Sequence, residues 1–263
     1  FSEAKEQAES YAGRVKEDGS REGKILSAYL KVENPRDYFA PALEGDELRS
    51  VLSRIAEMEL QDMRAEDPEA SINDTFVANF GSMEDAVELL SNETKIADQL
   101  GAMRGSGIDA KYTHQAVKEI TGIDALRANG WYGLMTVVLT PEQIKLSDPV
   151  TYDAEGNVIP LAERFDETTD ELVRSSIVAD AKYLELANDP KKNKQELQDM
   201  VDRAAIQAGY TPTNRYHGTR AFKFDAFDNF STKSNDVGFH FGTKQAAEDR
   251  IEATRPAPTL KRG

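Results

Sequence analysis

Two aromatic, glycine-bearing blocks constrain the fold of this chain more than anything else in its sequence. They are Arg-Tyr-His-Gly-Thr-Arg from Arg215 and Val-Gly-Phe-His-Phe-Gly-Thr from Val237. In Tyr216-His217-Gly218-Thr219, glycine offers its amide and carbonyl with no side chain in the way, so a ligand can approach the main chain. A planar carboxamide pairs with such a backbone, and the block reads as a loop that cradles a nucleotide. In the second block, alternation puts Phe239 and Phe241 on one face of a strand and His240 on the other, and aromatic faces suit a flat heterocycle. Each block also has a plainer reading: His217 as a turn histidine with local hydrogen bonds, and the two phenylalanines as ordinary core residues. Both blocks lie almost at the C-terminus, so the half that completes such a pocket is sought at the N-terminal end. The chain therefore reads as a piece of a tandem array.

Charge narrows the partners. The 263 residues carry 32 basic and 47 acidic side chains, a net charge of −15, and nucleic acid, which is bound by neutralising phosphates, is not expected as a partner. With no cysteine there is no disulfide framework, thiolate metal site or thiol nucleophile. Three histidines leave little for metals, so no metal is expected, and His114 reads as a surface or core-edge residue. No apolar run is long enough to span a bilayer and no signal peptide is legible, so no membrane partner is expected.

Periodicity supplies the elements. Ile25 to Val32 alternates as a half-buried strand stopped by Asn34-Pro35, and Gly133 to Leu139 is a second strand stopped by Thr140-Pro141. Leu48, Val51, Leu52, Ile55 and Met58 recur at helical spacing, and one helix is predicted from Met83 to Met103 with Ser82 as its N-cap. A short helix is expected from Thr113 to Ile120, and Asp153 to Asn157 is a hairpin signal. Residues 166–209 read as a two-helix connector, and beyond Gly209-Tyr210 the chain reads as loop-rich. A weak echo of Phe241 to Arg250 in Phe1 to Tyr11 suggests whole domains in tandem.

The Tyr-His-Gly-Thr block, the Asp- and Phe-rich stretch Phe222 to Asp228, and Gly-Phe-His-Phe-Gly-Thr with its following Ala-rich helix together resemble one known family. They look like the N-terminal half of an ADP-ribosyltransferase domain of phage polyvalent proteins, within the diphtheria-toxin and poly(ADP-ribose) polymerase group. The first 165 residues resemble the remaining half, most specifically from Val137 to Phe165. The resemblance implies an α+β fold with a split β-sheet, a helical insert at about 45–110 and a helical connector. It implies residues 1–168 as the C-terminal part of a first domain, 169–209 as a linker and 210–263 as the N-terminal part of a second. Residues 210–263 folding back on 1–168 would rebuild one permuted domain.

By the same resemblance NAD is the substrate, and His217, the catalytic-site histidine, bonds its adenosine-side ribose. The Gly218 backbone holds the nicotinamide carboxamide, Thr219 supports the loop that Tyr216 opens, and Gly238 to Phe241 form the aromatic strand. Tyr11 takes the position that stacks on nicotinamide, or else is a core-facing helix residue. The implied activity is transfer of ADP-ribose from NAD to a protein acceptor of a bacterial host, by a virion-associated protein or one acting in the host cytoplasm. The family stabilises an oxocarbenium-like transition state with a carboxylate. Here Met135 falls at that position, and Asp124 and Glu142 are the nearest acids, each with a turn role as its plainer reading. A non-catalytic binding or packing module of a large virion-associated protein is the alternative.

Overall fold

The computed structural model describes residues 24–130, 133–153, 155–165, 179–219 and 238–253. They form a mixed α+β fold with two sheets. They divide into two compact units, one of 24–31, 143–219 and 241–253, the other of 32–142 and 238–240. Phe1 and Tyr11 lie outside the described residues. None of the described helices is long and apolar enough to cross a membrane.

The unit of 32–142 is built on helix α1 (Gly45–Met63), whose Leu48, Val51, Leu52 and Ile55 are all fully buried, as their spacing predicts. The predicted single helix from Met83 is two helices, α2 (Met83–Leu90) and α3 (Ile96–Gly105). Ser82 caps the first as expected, accepting from the Asp85 amide at 3.1 Å. The break has a tertiary cause. The buried Gln99 amide accepts from the Leu43 amide at 2.9 Å and donates to the carbonyls of Leu43 and Leu90 at 3.0 and 3.1 Å. It thus satisfies a carbonyl at the end of α2, while the Ile96 amide bonds Ala40 instead of continuing that helix.

Helix α4 (Ala110–Thr121) begins at the Asp109 cap and ends at Gly122, whose φ of 74° is the left-handed conformation a helix C-terminus favours glycine for. The chain then returns through β3 (Ala125–Gly130), which pairs in parallel with β2 (Pro35–Asp37) and antiparallel with β4 (Gly133–Val138). The sheet order is β2-β3-β4-β7, with β7 at Phe239–Phe241.

The other unit holds the sheet β5-β1-β6, with β1 (Lys24–Leu30) between β5 (Ile144–Leu146) and β6 (Thr211–Thr219). Helix α5 (Leu161–Phe165) and helix α6 (Lys194–Gln207) supply its core, where Leu197, Val201 and Ala205 meet Tyr29, Phe165 and Tyr183. The hairpin at Asp153 is present, closed by a Tyr152–Val158 bridge, and residues 179–186 are helical within the expected connector. A polar seam joins α6 to β1: the Tyr29 hydroxyl donates to Asp202, and Gln198 donates to Tyr29 at 2.7 Å and to the Ser147 carbonyl at 3.2 Å. Burial, reinforced by Asp202, pushes the Tyr29 phenol above its ordinary value, so it remains a donor at neutral pH.

His114 departs from expectation. It is a core residue of α4, only 3 % exposed, because the buried face of that helix includes it beside Thr113 and Val117. Burial pushes its imidazole down to about 4. An unfolded histidine titrates near 6.5, so the unfolded chain binds the extra proton first as pH falls. The stability held by the neutral ring is complete above about pH 6.5 and is lost as pH falls toward 4, at up to about 1.4 kcal/mol per pH unit. Urea unfolding of the parent and His114→Gln at pH 7 and pH 5 is expected to show a smaller acid-induced loss in the variant. Equal losses would mean that His114 is charged, or solvated, in the folded state.

Candidate functional site

The block Tyr216-His217-Gly218-Thr219 is the end of a strand, which corrects the expectation of a loop. Thr211, Thr213, Tyr216 and Thr219 favour extended backbone, and β1 supplies the partner strand. Antiparallel register sets Lys24 opposite Thr219, Ile25 opposite Gly218, Leu26 opposite His217, Ser27 opposite Tyr216 and Ala28 opposite Arg215. On the other side of β6, Tyr216 and Gly242 exchange both backbone hydrogen bonds at 3.0 Å. The two sequence blocks are therefore joined main chain to main chain.

This pairing fixes directions. Tyr216 turns its amide and carbonyl away from β1, toward Gly242, and because main-chain groups alternate along a strand, Gly218 turns its own to the same outer edge. Opposed residues share a face, so His217, Thr219, Arg215, Lys24 and Leu26 project from one side of the sheet. Phe241, one residue before Gly242, projects there too: its ring centroid is 5.5 Å from that of His217, with the planes tilted by 48°. Leu26 is buried at the middle of this face, and the polar side chains around it are half-buried.

Lys24 and Arg215 carry no signal in the sequence, because only the register brings them beside His217. Burial pulls the Lys24 ammonium down to about 8, against the opposing field of Asp148, so it remains mostly protonated at neutral pH. An imidazole, a hydroxyl and two cations thus ring a buried apolar centre in which Leu26 is 3 % and Phe241 1 % exposed, so it is this polar margin, not the apolar middle, that can meet an anionic ligand. The outward main chain of Gly218 adds a donor and an acceptor for a planar amide.

The glycines themselves are occupied by the protein. Helix α7 (Lys244–Ala253), capped by Thr243 accepting from the Ala246 amide at 3.2 Å, crosses the opposite face of β6. A Cβ on Gly218 would lie 2.3 Å from the Ala247 carbonyl oxygen. Gly238, in the other unit with a φ of 65°, would meet the Val138 carbonyl oxygen at 2.4 Å. Phe239 and Phe241 are buried and His240 is half-buried, the alternation the sequence predicts. Tyr216, His217, Gly218, Thr219 and Phe241 are thus brought together in one unit, whereas Gly238, Phe239 and His240 belong to the other.

The two carboxylates considered from sequence lie in that other unit. Asp124 is buried and accepts from the amides of Glu33 at 2.6 Å and Asn34 at 3.0 Å, so it fixes the entry to β2, in agreement with its turn reading. Glu142 is exposed in the single turn Pro141–Gln143, and Met135 packs half-buried on the core behind β4. Among the described residues no cluster of His, Asp or Glu could hold a metal ion.

The chain matches no protein-family model, no curated protein and no solved structure.

Because α7 rests where a side chain at 218 would stand, Gly218→Ala must push helix from strand. A stability loss of about 2 kcal/mol is expected by denaturant titration, the scale of overpacking a close contact. A variant as stable as the parent would show that α7 does not approach β6 this closely.

Proposed function

We propose that this chain contains an NAD-binding unit of the ADP-ribosyltransferase type, belonging to a phage polyvalent protein that transfers ADP-ribose from NAD to a protein acceptor of the bacterial host. The observation that carries the reading is the Tyr216–Gly242 pairing, which sets His217 beside Phe241 and turns the Gly218 main chain outward. In this reading the Gly218 amide and carbonyl hold the nicotinamide carboxamide at the edge of β6. His217 bonds the adenosine-side ribose, Thr219 lies one row along, and Lys24 and Arg215 offset the charge of the two phosphates. NAD supplies an activated glycosidic bond; the protein contributes binding, orientation and electrostatics. The pairing of β6 with β1 also supports a permuted domain, in which residues 211–219 complete a sheet begun at residue 24.

A second reading has its own support. Met135 packs on a core where the family resemblance calls for a glutamate, and Asp124 is committed to two backbone amides. A unit that binds NAD without transferring ADP-ribose, retained for binding or packing in a large virion-associated protein, is consistent with both.

Calorimetric titration with NAD separates these readings from a chain with no dinucleotide site. The parent is expected to bind, and His217→Ala to weaken binding at least about tenfold, the worth of one good charged or polar contact. Release of nicotinamide in the presence of a host extract would then mark the transferase. Absence of any heat or ligand-induced NMR shift at millimolar NAD would end the NAD reading in both forms.

A further inference from the structure

A buried guanidinium in the unit of β1 carries donors that the protein leaves unused. Arg164 on α5 is 6 % exposed, and one of its nitrogens, Nη2, donates to the carbonyls of both Leu146 and Asp148, the latter at 2.6 Å. Carbonyls two residues apart point the same way only in an extended chain, so this bond pair holds 146–148 straight. The other two nitrogens, Nε and Nη1, are buried and have no hydrogen-bond partner among the described residues. Asp148 gives the guanidinium a carbonyl and otherwise acts on it only through its field, and the Phe165 ring centroid lies 5.4 Å from Cζ on one side. A guanidinium does not deprotonate in a protein, and a buried charge without a counter-charge is strongly unfavourable.

Tyr183 brings a second unused group to the same place. It is fully buried, its hydroxyl donates to the Pro149 carbonyl at 3.0 Å, and it stands close enough to Arg164 for each to shift the titration of the other, without hydrogen-bond geometry to Nε or Nη1. The main-chain amide of Thr151 faces that same phenol oxygen, and Thr151 Oγ1 is itself buried with no partner among the described residues. Arg164 Nε, Arg164 Nη1 and Thr151 Oγ1 are therefore gathered around one oxygen, where the chain passes from β5 into the hairpin at Asp153.

The chemistry of this set selects its occupant. Nε and Nη1 can only donate, and the threonine hydroxyl can donate as well. A water would bring hydrogens of its own, and the nearby carbonyls of Leu146, Asp148 and Pro149 are already bonded. An anion accepts from all of these donors and offsets the buried charge. Val150, Phe165 and Tyr183 are core residues here, so the ion is small, and half-buried Thr151 at the base of the exposed hairpin marks its way in.

We propose that Arg164, Thr151 and Tyr183 form an internal site for a small inorganic anion of chloride size, which serves as the counter-ion of Arg164 and ties the end of β5 to α5 and the hairpin. The site is independent of the NAD reading.

The experiment is urea unfolding of the full chain at constant ionic strength, with gluconate, too large to enter, replaced stepwise by chloride. Chloride is expected to raise the unfolding midpoint along a saturating curve, as a ligand bound only by the folded state does. Thr151→Val keeps the side-chain shape and removes the hydroxyl, and is expected to weaken the apparent chloride affinity by about threefold or more. Crystals of the parent soaked in bromide need no variant, and one anomalous peak is expected within hydrogen-bond reach of Arg164 Nε or Nη1. Any one of three results overturns the proposal: an ordered water or no bromide at Arg164, a midpoint indifferent to chloride, or a chloride response that Thr151→Val leaves unchanged.

Discussion

The central position of β1 is the constraint on which the candidate site depends. This strand is hydrogen-bonded on one side to β5 and on the other to β6, so residues 24–30 meet residues from 144–146 and from 211–219. Closing such long loops costs entropy that grows only slowly with length, and the cost is offset locally by burial of Leu26, Ala28, Tyr29 and Leu30. Without that pairing, His217 has no row and Lys24, Arg215 and Asp148 have no common face. Gly218 reinforces it from behind: its missing side chain lets α7 lie against β6, and α7 in turn starts just after the Gly242 that Tyr216 binds. One residue therefore serves packing on one side of the strand and presents its main chain at the edge.

Local pattern makes some of this legible and leaves the rest hidden. The apolar spacing of Leu48, Val51, Leu52 and Ile55 is a property of one helix, and it is readable because nothing distant is needed to interpret it. The break between α2 and α3 is not, since it depends on Gln99 reaching Leu43 and Leu90 from elsewhere in the fold. In β6, Pro212, Asn214 and Gly218 are turn formers interleaved with threonines, and only the neighbouring β1 settles the competition in favour of a strand. His114 departs from its surface reading for a similar reason: a lone histidine on a helix says nothing about which face will be covered. The aromatic alternation at Phe239 to Phe241 holds because two-residue periodicity is intrinsic to a strand.

Net charge is a poor guide to the site. Residues 32–142 hold 21 acidic and nine basic side chains, so most of the excess of −15 belongs to one unit. The other unit is close to neutral, and the face around His217 presents two cations, Lys24 and Arg215. An anionic ligand responds to that local arrangement over a Debye length of about 8 Å, not to the sum over the chain. The global charge still argues against extended polyanions such as duplex DNA, which would meet the acidic unit as well. It does not argue against a dinucleotide.

The carboxylates show how a motif search and a register argument differ. The family resemblance puts an acid near Met135, and the neighbours available there are Asp124 and Glu142. Asp124 binds two amides, a role that the turn residues around it imply. Asp148 carries no motif and acquires meaning only from three facts together: Ser147 matched to Ser27, a proline after it, and a buried arginine straightening the backbone behind it. Each fact is ordinary in isolation. Together they leave its side chain one direction, onto the face that already holds His217.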